Sequence, residues 1–294
     1  MAWSLTEHLL TTYSNEYKVA TQAPFLLAAA EGRLPKDVLG RWLANDRLYI
    51  HSYIRAAGKM LSTLDLPPTV PKTEAYETQL VDWLVEALGA VRREERLFID
   101  VSERYELPVN LPTTTIGISS TQGGKEVVDP KAKLAGLVMI EDDVFGNIIP
   151  QTQTQERVGE IGVTSAPPPL PWLEAAVTFW GTERCYLDAW SWAKSKQTMS
   201  ISTAIGEKGG MGINVRDDYE KDADGGALRK EFIPNWSSVE FAQFVGRLGS
   251  IIDFAVAEVL EKQGEGAKEE ILQRVEGKWK TLLAAEATFW PQVE

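Results

Sequence analysis

Apolar side chains recur every three or four residues through most of the chain, and strand-like alternation is scarce. The pattern therefore predicts amphipathic helices. Ser4 and Glu7 form a capping box ahead of Leu9, Leu10, Tyr13 and Tyr17, which predicts a first helix from about Ser4 to Val19. After Gly32 and Pro35, a strongly patterned stretch runs to about Met60, with Val38, Leu39, Trp42, Leu43, Asp46, Tyr49, Ile50 and Tyr53 at helical spacing. Pro67, Pro68 and Pro71 end it, and Thr73 to Ala87 and Ala90 to Tyr105 read as an antiparallel helix pair joined at Gly89. Further helices are expected over Trp172 to Lys196, from a Ser237/Glu240 capping box to about Glu261, and from Ala267 to about Trp290, where Pro291 stops the helix. Seven or so helices with no sheet pattern imply an all-α bundle, whose sites are built from facing helices.

Two segments break this regularity. From about 108 to 171 the composition shifts to Thr, Ser, Gly, Gln and Pro, with one apolar island at Leu134 to Ile140 that suits a short helix or strand. A second polar, Gly-rich stretch spans about 197 to 230. Both read as insertions in one helical domain covering 1–294, and the first is long enough to cover a pocket.

Composition narrows the function. The chain is 44% hydrophobic and 24% charged, which excludes wholesale disorder. Thirty Lys+Arg against 42 Asp+Glu leave a net charge of -12, a field that repels nucleic acid and anionic membranes. With no apolar run of about 18 residues and no secretory leader pattern, the chain reads as cytoplasmic. A single cysteine, Cys185, excludes an intrachain disulfide and a Cys-x-x-Cys centre, and only two histidines, His8 and His51, exclude a three-histidine metal site. No metal and no cofactor is expected. The GEKGGMG stretch at 206–212 lacks a phosphate-loop context, and the acidic run at 141–143 lacks calcium-loop spacing.

Three carboxylates stand where their helices otherwise present apolar or aromatic side chains: Asp46, Glu183 and Glu286. Asp46 and Tyr49 are three apart on the face that carries Trp42 and Tyr53, so an acid and a phenol point together among aromatic rings. The competing reading is a surface acid neutralised by Arg41 or Arg47. Glu183 and Tyr186 repeat the spacing on a stripe with Phe179 and Trp190, while Cys185 lies about 200° round the helix from Glu183. Buried without a nearby cation, such a thiol is inert, although Arg184 stands beside it. Two carboxyls forced into one apolar cavity split their pKa values, leaving one able to act as base near neutral pH.

With these residues in view, the chain resembles the TenA/thiaminase II family, which has a haem-oxygenase-like helical fold. The likeness is carried by APFLLAAAEGRLPKDVLGRWLANDRLYIHSYIR, by WLEAAVTFWGTERCYLDAWSWA, and by NWSSVEFAQFVGRLGSIIDF followed by LLAAEATFWPQ. The resemblance implies that Asp46 binds an aminopyrimidine, that Tyr49, Tyr186, Trp42 and Tyr53 line its pocket, and that Glu286 and Glu183 are catalytic. In the cysteine branch of the family a tyrosine follows the thiol by four residues, whereas Ala189 stands four after Cys185. The chain is accordingly similar to the branch in which a glutamate replaces the thiol. A further pocket tyrosine of the family has no match near Phe232 and Trp236. The implied activity is hydrolysis of amino- or formylaminomethyl-pyrimidines in thiamine salvage, by a homo-oligomer (dimer or tetramer) that needs no cofactor. The alternatives are a Cys185-dependent thiaminase and a catalytically silent pyrimidine-binding protein.

Overall fold

The computed structural model describes residues 3–116, 125–149, 168–207 and 219–293, with the backbone alone described over 198–207. Helices dominate, as expected. The Ser4 hydroxyl caps the first by accepting from the Glu7 amide, and it also donates to Asp253 at 2.8 Å, tying the N-terminal region to a distant helix. The single helix expected over Ser4 to Val19 is in fact two, α1 (Leu5–Thr12) and α2 (Ser14–Thr21), because Tyr13 leaves helical geometry at φ -107° and ψ 32°. A short α3 (Pro24–Ala30) follows, with Pro24 at its first position, where the missing N–H costs nothing. The patterned stretch forms α4 (Lys36–Leu61).

The helix pair expected around Gly89 is one continuous 30-residue helix, α5 (Tyr76–Tyr105). A glycine inside a helix costs only about 1 kcal/mol relative to alanine, too little to break one whose apolar face is buried throughout. Central α7 (Leu173–Glu207) and the closing pair α9 (Val239–Gln263) and α10 (Glu265–Ala287) complete the long elements. Ser238 rather than Ser237 caps α9, accepting from the Phe241 amide at 3.2 Å. Between α7 and α9 the chain makes a wide turn over Leu228–Phe232 and a single-turn helix, α8 (Ile233–Trp236).

The first insertion is partly ordered. It contains a two-stranded antiparallel hairpin, β1 (Thr113–Ile116) with β2 (Lys125–Val128), which the apolar pattern did not announce. Its apolar island forms α6 (Ala135–Met139), seated on α10 so closely that a Cβ at Gly136 would stand 2.3 Å from the Ala285 carbonyl oxygen. Only glycine permits that approach. The Leu134 amide donates to the buried Asn45 side chain at 2.8 Å, and Phe145 packs on Tyr49, Tyr53 and Phe179. This segment thus supports the back of the aromatic layer around α4 and α7. The 206–212 motif lies mostly outside the described residues.

The core centres on Trp42, which meets Trp190, Trp236, Trp290, Phe25 and Phe289 at ring-centre distances of 5.4–6.3 Å. Among the described residues no helix is long and apolar enough to cross a membrane.

Candidate active site

Helices α4, α5, α7, α8 and α9 enclose a cavity of about 460 Å³, within the range of small-molecule sites. Asp46 and Tyr49 reach its wall from α4, Glu183 and Tyr186 from α7, Trp236 from α8, and Glu94 from α5. The i, i+3 spacing on α4 and again on α7 does what helix geometry requires, aiming an acid and a phenol of each helix the same way.

Asp46 is 2% exposed, and its carboxylate accepts from the Tyr186 hydroxyl at 2.7 Å. The alternative of a surface acid paired with Arg47 does not hold, because the Arg47 guanidinium turns to Glu95 and Asn110. Burial raises the Asp46 pKa well above the usual carboxylate value, and the charge of Glu94 raises it further against the opposing Tyr186 hydrogen bond. Glu183 is pushed up to about 8, chiefly by burial, with the Tyr53 hydroxyl opposing. Among the described residues that buried hydroxyl makes no hydrogen bond within normal geometry, which leaves it available to Glu183. Glu286, 3% exposed, stands behind the wall rather than on it, and is likewise pushed up to about 8, by burial and then by the charge of Glu183. Glu183 and Glu286 are therefore near neighbours, one facing the cavity and one facing the core.

Two residues expected to line the pocket do not. Trp42 and Tyr53 are both fully buried behind it, Trp42 stacking on Tyr186 at 6.3 Å and Tyr53 meeting Phe179 at 4.9 Å. Both pack against wall residues, Trp42 on Tyr186 and Tyr53 on Tyr49 at 6.2 Å. Cys185 is buried on the side of α7 that meets Tyr17, away from the cavity wall. Burial, followed by the charges of Glu286 and Asp188, raises its thiol well above the ordinary value. Arg184 opposes this only as the smallest influence, and it pairs with Asp188 at 2.9 Å.

One wall residue escaped the sequence pattern. Glu94 sits in the run Arg92-Arg93-Glu94-Glu95-Arg96, which has the appearance of a solvated charged face. It is partly accessible through the cavity mouth yet surrounded by protein, which pushes its carboxyl up to about 7. The Trp236 indole N–H donates to it at 2.5 Å. Among the described residues no group of three or more His, Cys, Asp or Glu side chains is arranged to hold a metal ion.

No family model matches the chain. Across 261 residues it is 23% identical to a protein of Fusarium pseudograminearum named a probable transcription factor, a match that covers 85% of this chain and 45% of that protein. The chain thus spans less than half the length of that relative. Two solved structures align with nearly all of it. A TenA homologue from Pyrococcus furiosus is 20% identical with a TM-score of 0.57, covering 97% of each chain. A TenA family transcription regulator from a Silicibacter species is 12% identical with a TM-score of 0.54, covering 98% of this chain and 96% of that one. At such identities the likeness is one of architecture, and this chain has the all-α, haem-oxygenase-like fold of the TenA proteins.

Proposed function

We propose that the cavity is the active site of a hydrolase acting on amino- or formylaminomethyl-pyrimidines derived from thiamine. The observation that carries this reading is the pair Glu183, half-buried on the wall, and Glu286, buried behind it, whose protons are held to about pH 8 beside a cavity walled by phenols and an indole. Asp46, fixed by Tyr186, would accept from the exocyclic amino group of the ring, while Tyr49, Tyr186 and Trp236 offer aromatic faces to it.

Hydrolysis needs a base for water and an acid for the departing nitrogen. Glu183, on the wall, would take a proton from water as its oxygen bonds to the formyl carbon or the exocyclic methylene. The carbon–nitrogen bond breaks, and the same carboxyl returns the proton to the leaving amine. When Glu183 ionises to act as the base, its charge raises the proton affinity of Glu286 behind it, so Glu286 keeps its proton and the pair does not carry two negative charges in an apolar setting. The position of Cys185 argues against a thiol-dependent thiaminase.

A second reading has one observation behind it: the Fusarium relative and the Silicibacter structure both carry regulatory names. Under it the cavity binds a pyrimidine without turnover. Incubating the protein with thiamine, aminomethyl-aminopyrimidine and its N-formyl derivative, with products followed by mass spectrometry, separates the two. Hydroxymethylpyrimidine, or aminopyrimidine with formate, is the expected result, with little product from thiamine. Binding without product would replace the hydrolase by the regulatory reading, and rapid thiamine cleavage would return attention to Cys185.

A further inference from the structure

We propose that Glu94 determines the specificity of this cavity, acting with Asp46 to select a ligand that carries a protonated amine over its neutral counterpart. The inference rests on the pyrimidine reading above and narrows its substrate class.

The distribution of charge around the cavity carries it. Asp46 faces the space from α4, Glu183 from α7, and Glu86, Arg93 and Glu94 from α5, while Glu240 stands at the start of α9. Glu86 is already answered by Arg247, at 2.6 Å to both of its oxygens, and Arg93 and Glu240 are exposed at the rim. Among the described residues the interior therefore holds three carboxyls, Asp46, Glu94 and Glu183, and no cation. Glu94 is anchored rather than neutralised: the Trp236 N–H meets Oε1, and among the described residues Oε2 has no hydrogen-bond donor. An indole N–H fixes the direction of a carboxylate but supplies no counter-charge.

An acid held in this way has a specific use. The charge of Glu94 raises the proton affinity of Asp46, so an empty cavity keeps its acids partly neutral. An arriving ammonium group reverses the balance, since it lets both ionise and gives Oε2 a donor. A formylated amine brings one N–H and no charge, so it leaves the acids uncompensated. Discrimination between two ligands that share the same ring then comes from the unpaired charge as much as from the new contact.

The test compares aminomethyl-aminopyrimidine, cationic at neutral pH, with its N-formyl derivative on the wild-type protein and on Glu94→Gln. Gln keeps the size of the side chain and an acceptor for Trp236. Dissociation constants from calorimetry and kcat/KM are read for both compounds, with circular dichroism confirming the fold. The expected result is at least a tenfold loss for the amine and less than a threefold change for the formyl compound. Glu94→Ala provides the same comparison should Gln perturb folding. Equal losses on both compounds, or no loss on either, would overturn the proposal while leaving the hydrolase reading intact. Binding of both compounds without turnover overturns only the hydrolase reading, and the ratio of dissociation constants still decides the role of Glu94. A wild-type protein that binds neither compound removes both.

Discussion

Glu94 and Glu95 are neighbours on one helix, and the protein treats them in opposite ways. Glu95 points into the α4–α5 interface, where Arg47, Arg92 and His51 surround it, the His51 Nε2 at 2.8 Å. Burial and the nearby Arg47, Arg55 and Arg92 charges lower the His51 pKa, so its ring offers an N–H rather than a full charge at neutral pH. About 100° round the helix, Glu94 faces the cavity with one indole N–H for company. The difference separates a carboxylate that serves stability from one left free for a ligand. Buried charge with matched partners holds helices in register, whereas buried charge without them stores a cost that a substrate can relieve.

The largest expected effect tests the unmatched side. Glu286→Gln should lower turnover more than 100-fold, as loss of a proton-handling group does. It should also stabilise the protein at alkaline pH. Glu183 and Glu286 hold protons to about pH 8 in the folded state, while their ordinary value is 4.5. Between those values the folded protein binds more protons than the unfolded chain at these two sites, so their contribution to stability is fully present below pH 4.5 and is lost as pH rises toward 8. Melting curves at pH 5 and pH 8 should show a lower melting temperature at pH 8 for wild type, with the gap narrowed in the variant. A wild-type melting temperature that climbs over this range would contradict the uncompensated pair.

The matched side should respond in stability instead. Glu95→Gln leaves the surrounding cations without their acid and should cost about 2–3 kcal/mol, somewhat below the loss for a fully buried pair because Arg92 is half-exposed. Urea unfolding measures it, and retained activity in the surviving folded fraction is the accompanying expectation. The smallest effect belongs to Cys185→Ser. Activity on the pyrimidine substrates should change less than threefold, with a modest loss of stability from placing a hydroxyl in an apolar site. A loss of turnover matching that of Glu286→Gln would mean that the thiol, and not Glu183, does the chemistry.

Two acids of the cavity wall and the tyrosine beside each were legible in the chain because those acids break an apolar pattern. Asp46 and Glu183 interrupt aromatic stripes, and each has a tyrosine one turn on that faces the same way. Glu94 was illegible for the converse reason: within a run of charged residues nothing marks one as facing inward. The depth of Trp42 and Tyr53 was equally hidden, since periodicity tells which residues share a face but not which of them a neighbouring helix covers. Gly89 misled because its local cost is real but smaller than the burial of the helix around it.

The sequence by itself determined the helices, their approximate ends, the polar insertions and the acids at odds with their surroundings, because these follow from contacts within a few residues along the chain. Only the tertiary structure decided that Glu183 rather than Cys185 looks into the cavity and that Glu286 stands behind it. It alone brought Trp236 to Glu94, 142 residues away in the chain. Such meetings depend on how whole helices are placed against one another, and that placement is set by the packing of the entire core.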